Sequence, residues 1–267
     1  MLKAIVKSMF NGFGYQVTKI PPQQRDPSLN YFKSSENDVD YFETPIGNYF
    51  LPNNAPDDIV IKSMKSGTYF ERHIIDVAEK YIKAGTCVLD VGANLGQMSV
   101  HFSKLVGDKG KVISFDADDY IFEFLKKNIA GNQCKNVEAI FGAVYNASDK
   151  IFYFPKQDFV KWGAYGSYGL DLAAKNGREV KSLKIDDLDI QIPISFMKVD
   201  VQGSDLFAMQ GAEETIRKHK MPIIFEFEQQ FQQDFNTSFQ DYVEFTERIS
   251  YRFEAVIDSI NYLIVPK

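Results

Sequence analysis

Asp90-Val91-Gly92-Ala93-Asn94-Leu95-Gly96 sets a carboxylate and two glycines directly after a short apolar run, Val88-Leu89. Glycines at such a corner let a ligand approach the backbone where a side chain would stand in the way. A dinucleotide site spaces its glycines Gly-x-Gly-x-x-Gly to seat a pyrophosphate on the following helix. Here the middle glycine is missing, and Asp90 sits just inside the strand end, where it would repel a pyrophosphate. The pattern suits a ligand carrying an ammonium group, such as the amino-acid end of S-adenosylmethionine. Taken alone, it also fits an ordinary strand–helix corner.

Asp116 follows the next apolar run, Lys111–Phe115, about 20 residues past the glycines, the position of a carboxylate that binds a ribose. A ribose without a phosphate clamp points to an adenosyl ligand. Further along, Lys198 and Asp200 stand two apart, as do Glu226 and Glu228. On strands, each pair shares a face. If those strands are neighbours in a parallel sheet, which binds ligands at its carboxyl ends, the four charges cluster beside the ligand. Buried charges are costly unless paired, so an internal Lys–carboxylate network tying two strands together is the rival reading, and both can hold. Clustered carboxylates can also hold Mg²⁺; no metal ligand set is assigned. His73, His101 and His219 fall on expected helices away from strand ends and read as surface or helix-end residues.

The elements that must position these groups follow from periodicity. Thr86–Val91 reads as a strand buried on both faces, followed by a helix with Met98, Phe102, Leu105 and Val106 inward. Lys111–Phe115 is a second strand. Asp118 or Asp119 caps a helix from Tyr120 to Ala130 that ends at Gly131. Val137–Val144 is expected as a third strand. Strands at 150–154 and 179–184 flank an insertion, 156–173, containing Trp162-Gly163-Ala164-Tyr165-Gly166-Ser167-Tyr168-Gly169. Such a loop suits stacking on a sugar or ring, or closing over a site, or packing its aromatics onto the sheet. Ile194–Val201 is a fourth strand, with a helix from 204 to 219, and 223–228 a fifth. A helix is expected over 235–251, with Phe239, Val243 and Ile249 in the core, then a hairpin of 253–257 and 262–265. Upstream, 41–51 reads as two short strands around Gly47-Asn48, 57–66 as a short helix and 69–83 as a helix that brings Tyr69 and Glu71 near the site. The pattern predicts an α/β, Rossmann-like domain over residues 41–267. Its seven-stranded sheet is mostly parallel, with an antiparallel last strand.

Three stretches resemble one family. Val88–Gln97 is similar to the first motif of class I S-adenosylmethionine-dependent methyltransferases in the form used by the FkbM family. Phe196–Ala212 resembles that family's Lys-Ile-Asp-Val-Glu-Gly-Ala-Glu followed by Leu-Lys-Gly-Ala, and Pro222–Glu226 resembles its apolar strand ending in Glu. The likeness runs over roughly residues 68–230, in family order. It departs at Asp116-Ala117, where Glu-Pro is usual, and at Gln202 and Asp205, where Glu is usual. The resemblance implies that Asp90, Gly92, Ala93, Asn94 and Gly96 hold the amino-acid end of S-adenosylmethionine. Asp116 would bind its ribose, and Gly142 and Ala143 would lie against its adenine. Asp200 is then beside the sulfonium and Lys198 in the same cluster, with Asp205 or Glu226 facing the acceptor as base or orienting group. It also implies a small-molecule or glycan acceptor methylated on a hydroxyl, as in a sugar or a cell-surface polysaccharide precursor. A nitrogen or phosphoryl acceptor is an alternative within the same chemistry. A non-catalytic cofactor-fold scaffold and a nucleotide-sugar dehydrogenase or epimerase are alternatives of another kind; the missing glycine speaks against the last.

Composition narrows the partners. A net charge of −6 over 267 residues argues against nucleic acid as the main ligand. No stretch approaches the roughly 20 apolar residues that span a bilayer, and the first residues lack the pattern of a signal peptide. The two cysteines, Cys87 and Cys134, form no metal pattern and fit a reducing cytoplasm. Residues 1–40 read as a short amphipathic helix (Leu2, Ile5, Val6, Met9, Phe10 on one face) and a Pro- and Gly-containing linker. That helix suits a homodimer contact, a peripheral membrane contact, or packing on its own domain.

Overall fold

The computed structural model describes residues 32–36, 39–55, 57–154, 164–166 and 169–267. All of them belong to the compact unit Tyr31–Lys267. The expected N-terminal helix, and Trp162 and Tyr168 of the insertion, lie outside the described residues.

An antiparallel sheet comes first: β1 (Phe32–Glu36), β2 (Val39–Thr44) and β3 (Gly47–Pro52). The expected boundary at residue 40 falls inside β2. The β2–β3 turn is Pro45-Ile46, since Thr44 pairs with Gly47. It is therefore not Gly47-Asn48: proline presets the φ that a turn needs, while Gly47 is already on the strand. Two short stretches of helix follow, α1 (Ile59–Lys65) and α2 (Arg72–Tyr81).

The main sheet is built from β4 (Cys87–Val91), β5 (Lys111–Asp116), β6 (Val137–Phe141), β10 (Ile194–Val199), β11 (Ile223–Glu226), β12 (Tyr251–Val256) and β13 (Asn261–Pro266). Its order is β12-β13-β11-β10-β4-β5-β6. The neighbours from β11 to β6 pair in parallel, and β13 runs antiparallel to both β11 and β12. The expected seven-stranded sheet and its antiparallel last strand are both present. β4, β10 and β11 are buried along their whole length, as parallel strands covered on both faces must be.

Strand alternation divides the core in two. Leu89, Val91, Met197, Val199, Ile223 and Phe225 pack on one face. Val88, Phe196 and Ile224 pack on the other, against Ile74 and Ile75 of α2 and against α3 (Gln97–Val106). Asp90, Lys198 and Glu226 have the even parity of this second set, so the charged residues of three adjacent strands share the face that α2 and α3 cover.

α4 (Asp119–Gly131) connects β5 to β6 and is capped by Asp118, which accepts from the backbone N–H of Tyr120 and Ile121. The antiparallel sheet docks on α4 through side-chain amides. Asn128 Oδ1 accepts from Phe50 N at 2.6 Å, Asn132 Oδ1 accepts from Asn48 N at 2.8 Å, and Asn128 Nδ2 donates to Leu95 O at 2.8 Å.

Two expected elements are broken in the structure. The strand predicted over 137–144 turns at Gly142, whose N–H donates to Asp116 O; β7 (Ala143–Val144) leaves the main sheet and pairs with β9 (Arg178–Leu183) beside β8 (Ile151–Phe154). The helix predicted over 204–219 is two, α5 (Asp205–Gln210) and α6 (Glu213–His219). They part at Gly211, which lies so close to Tyr145 that a Cβ would come within 2.0 Å of its carbonyl oxygen. The helix predicted over 235–251 is present but shorter, α8 (Phe239–Arg248), started by the capping box of Ser238 and Asp241; a separate helix, α7 (Gln229–Phe235), precedes it and ends where Asn236 turns left-handed. α8 buries Tyr242 and Phe245 rather than Val243. No helix among the described residues is long and apolar enough to cross a membrane.

Candidate active site

A crevice opens at the carboxyl tips of β4, β5 and β10, where a doubly wound sheet binds its ligand. Gly92, Asn94, Asp116, Gly142, Ala143 and Asp200 of the predicted set line it, together with Gln202 and Tyr165. Gly92 has φ +81°, and a Cβ there would lie 1.8 Å from the carbonyl oxygen of Asp200. The first turn and the tip of β10 therefore touch backbone to backbone, which only glycine permits.

Asp90, Ala93 and Gly96 do not line the crevice. Asp90 is 0 % exposed and accepts from Ser99 of α3. Strand parity explains this: its side chain points under α3 rather than beyond the strand end. Burial raises the Asp90 pKa above the usual carboxylate range, against the pull of Lys198 and Ser99. Gly96 is the left-handed N-cap of α3 and packs against Leu125.

Asp116 receives two backbone N–H groups, from Asn94 at 2.8 Å and from Asp118 at 3.0 Å. Burial still pushes its carboxyl up to about 7. Asp118 holds Arg178 of β9 through both guanidinium Nη atoms, at 2.9 and 2.6 Å. This fork fastens the β8–β9 ribbon to the Asp116 side of the crevice.

The predicted cluster on β10 and β11 does assemble. The ammonium of Lys198 is buried, donates to Gly92 O at 2.9 Å and contacts Asp200 Oδ2 at 3.2 Å. Gln202 Nε2 lies between two carboxyl groups, 2.9 Å from Asp200 Oδ1 and 2.9 Å from Glu226 Oε2. Gln202 thus supplies hydrogen bonds to both carboxyl groups and Lys198 a positive charge to Asp200. Burial alone would lower the Lys198 pKa, but the carboxylates of Asp200, Asp90 and Glu71 outweigh it and hold the ammonium charged. Burial likewise opposes ionisation of Asp200; Lys198 and hydrogen bonds from Glu226 and Gln202 overcome it and hold Asp200 below the usual range. Glu226 goes the other way, raised by burial and by the charge of Asp200. Of the two carboxyls, Glu226 is therefore the one that favours its neutral form and Asp200 the one that favours ionisation.

Asp205 does not join the crevice lining. It is 0 % exposed and accepts from Gly203 N at 3.1 Å and Val201 N at 3.4 Å, closing the turn before α5. Burial and the charge of Asp200 push it up to about 7. Glu228 begins α7, accepts from Gln230 and is raised by burial and by Asp200.

The described part of the insertion packs down rather than hanging free. Tyr165 is buried, stacks on Tyr120 with centroids 6.0 Å apart and donates its backbone N–H to Asp58. A Cβ on Gly166 would lie 2.7 Å from Asn94 Nδ2, and one on Gly169 2.4 Å from Gln202 O. The segment thus bridges the first-motif turn and the tip of β10, across the crevice.

The histidines, expected as surface or helix-end residues, have definite partners, and His73 and His219 do stand at helix ends. Tyr69 OH and His101 Nδ1 meet at 2.8 Å, and Gln97 clasps the segment before α2, accepting from Phe70 N and donating to Thr68 O. His73 Nε2 lies 2.6 Å from Asp258 Oδ2 in the β12–β13 turn. The partners are 185 residues apart, so only the hairpin's place beside β11 could have revealed the pair.

The chain is 32% identical over 97 residues to a probable cobalt-precorrin-6B C(15)-methyltransferase (decarboxylating) of Sulfolobus acidocaldarius, covering 36% of this chain and 50% of that one. It is 35% identical over 75 residues to the ubiquinone/menaquinone biosynthesis C-methyltransferase UbiE of a Marinomonas species, covering 27% of this chain and 29% of that one. The chain therefore spans half or less of the length of these curated relatives. Among solved structures it is similar to methyltransferase FkbM from Methylobacillus flagellatus, with 16% identity, 67% of this chain and 42% of that one covered, and a TM-score of 0.45. The model of the methyltransferase FkbM domain matches residues 90–253, well over half of the sequence, and the chain belongs to this family of S-adenosylmethionine-dependent methyltransferases.

Proposed function

We propose that the protein transfers the methyl group of S-adenosylmethionine to a hydroxyl of a sugar or glycan precursor. The observation that carries the donor side is the lining of the crevice: it offers the carboxylates of Asp116 and Asp200 and, among the described residues, no lysine or arginine. A sulfonium and an ammonium group gain from such a field, and a pyrophosphate would be repelled. Asp116 accepts from the ribose hydroxyls, Gly142 and Ala143 face the adenine, and the turn at Gly92 and Asn94 holds the amino-acid end. Asp200, kept ionised by Lys198, stands beside the sulfonium. The acceptor class rests on the family resemblance, and acidic walls suit a neutral polyol better than an anion.

In the reaction the acceptor oxygen forms a bond to the methyl carbon as the carbon–sulfur bond breaks. Neutral S-adenosylhomocysteine leaves, and the hydroxyl proton passes to a base. Glu226 already carries a proton, so its part is to orient Asp200 rather than to take another. Calorimetry with S-adenosylmethionine and NAD, followed by donor turnover with a panel of mono- and oligosaccharides, tests the reading. Preference for NAD, or transfer to amines and to no hydroxyl, would reject it. Glu226→Gln, which replaces a neutral acid by a neutral amide, should keep donor affinity and most of the turnover. A loss of about 100-fold or more, the size expected for a general base, would instead make Glu226 that base.

A further inference from the structure

We propose that His73, held by Asp258, is the base that takes the proton of the acceptor hydroxyl. Resting on the methyl-transfer reading above, this supplies the acceptor-side group that Glu226 and Asp205 leave unfilled. His73 Nε2 is 2.6 Å from Asp258 Oδ2. Asp258 is itself fixed by the backbone N–H groups of Ile260 and Asn261, each at 2.8 Å, and by Asn261 Nδ2 at 3.0 Å. With Nε2–H donated to the carboxylate, Nδ1 carries the lone pair, and it makes no hydrogen bond among the described residues. A ring fixed on one nitrogen and open on the other has the form of a carboxylate-oriented base.

Its place in the fold is the second observation. The β12–β13 turn lies at the same end of the sheet as the tips of β10 and β11. Asn261, which holds Asp258, is paired in register with Glu226, and Phe227 N donates to Ile260 O at 2.8 Å. On the other side of His73, Glu71 caps α2 in a left-handed conformation, φ 51°. Burial and the nearby charge of Asp200 raise it to about 7. A row of polar groups therefore runs from Asp200 through Glu226 and Asn261 to Asp258, His73 and Glu71, beside the cluster assigned to the sulfonium. The His73 side chain is 35% exposed, enough to meet a ligand.

As the hydroxyl oxygen attacks the methyl carbon, Nδ1 takes its proton, Asp258 stabilises the imidazolium, and the proton then leaves to solvent from the exposed ring. The charged groups facing His73 are Asp258, Glu71 and Asp76, and their combined effect, led by the hydrogen bond to Asp258, raises its pKa above the ordinary value.

The test uses the charge difference between donor and product. S-adenosylmethionine carries one positive charge more than S-adenosylhomocysteine, at the sulfur. With the sulfonium separated from Nδ1 only by the acceptor oxygen and the methyl, as the proposed transfer requires, its charge should lower the His73 pKa by roughly half a unit or more. Ring signals of the three histidines are titrated by NMR in both complexes and assigned with His73→Asn. A lower His73 value in the donor complex, with His101 and His219 moving less, is expected. Equal values while both ligands bind would overturn the role of His73 and leave the donor reading standing; failure of both ligands to bind would overturn both. Asp258→Asn should lower the His73 pKa and move the rising limb of the pH–rate profile to lower pH, a change that a merely structural contact would not give. His73→Asn should keep donor affinity and lose about 100-fold in turnover with a hydroxyl acceptor; turnover within threefold of the parent would refute the assignment.

Discussion

Replacing Gln202 with Glu should destabilise the protein by about 3 kcal/mol at pH 8 and by much less at pH 5. The family usually carries Glu at this position, yet here one amide nitrogen donates to both Asp200 and Glu226 at 2.9 Å. A carboxylate cannot donate, so both bonds are lost. A hydrogen bond to an ionised group contributes about 1.5–3 kcal/mol and one to a neutral group about 1, which sets the total. Gln202 is partly exposed, so the added repulsion from Asp200 is screened and contributes little more. The pH dependence follows in sign. The new carboxyl, next to Asp200, has a folded pKa raised above its unfolded value near 4.3. Its penalty is absent below that unfolded value and grows as pH rises toward the folded one. In the neutral form it can still donate one hydrogen bond. Urea unfolding of parent and variant at both pH values measures the difference; at about 2–4 °C per kcal/mol, the melting temperature at pH 8 should fall by roughly 9 °C. An equal loss at pH 5 and pH 8, or none at either, would show that Gln202 does not hold the two carboxyl groups together.

Asp116→Ala should weaken S-adenosylmethionine binding at least tenfold by calorimetry, about the worth of one charge-assisted hydrogen bond. Because burial raises Asp116 to about 7, donor affinity of the parent should improve about tenfold from pH 6 to pH 8 as the carboxyl ionises, and Asp116→Asn should flatten that profile. Gly92 and Gly85 have nearly the same backbone, φ +81° and +76°, but only Gly92 faces an obstacle, with nothing within 4 Å of a Cβ at Gly85. Gly85→Ala should therefore cost about 1 kcal/mol of strain, while Gly92→Ala should cost roughly 3 kcal/mol or more through the contact with Asp200; equal costs in denaturant unfolding would contradict the close approach.

The sheet was legible because Val88-Leu89, Phe196-Met197 and Pro222–Phe225 are apolar runs with no polar alternation, and such runs have few places to go except between two layers. The Lys198, Asp200 and Glu226 cluster was legible for a related reason: charges inside such runs must find one another. What escaped prediction depends on which backbone meets which. Gly142 and Gly211 interrupt their elements because of neighbours, Asp116 and Tyr145, that no local pattern announces. Asp90 has the residue type and position of a ligand group, but its strand parity sends it under α3 to Ser99. His73 and Asp258 meet only because the terminal hairpin folds back beside β11.

Asn128 is wholly buried and serves two masters at once, taking the N–H of Phe50 and giving its own to the carbonyl of Leu95 in the first-motif turn. A minimal fragment trimmed to start at the first parallel strand would strand half of that amide in the interior and loosen the first-motif corner at Leu95. The parallel sheet is thus braced from upstream, by a small ribbon whose hold on Asn128 sets the stiffness of the first-motif corner.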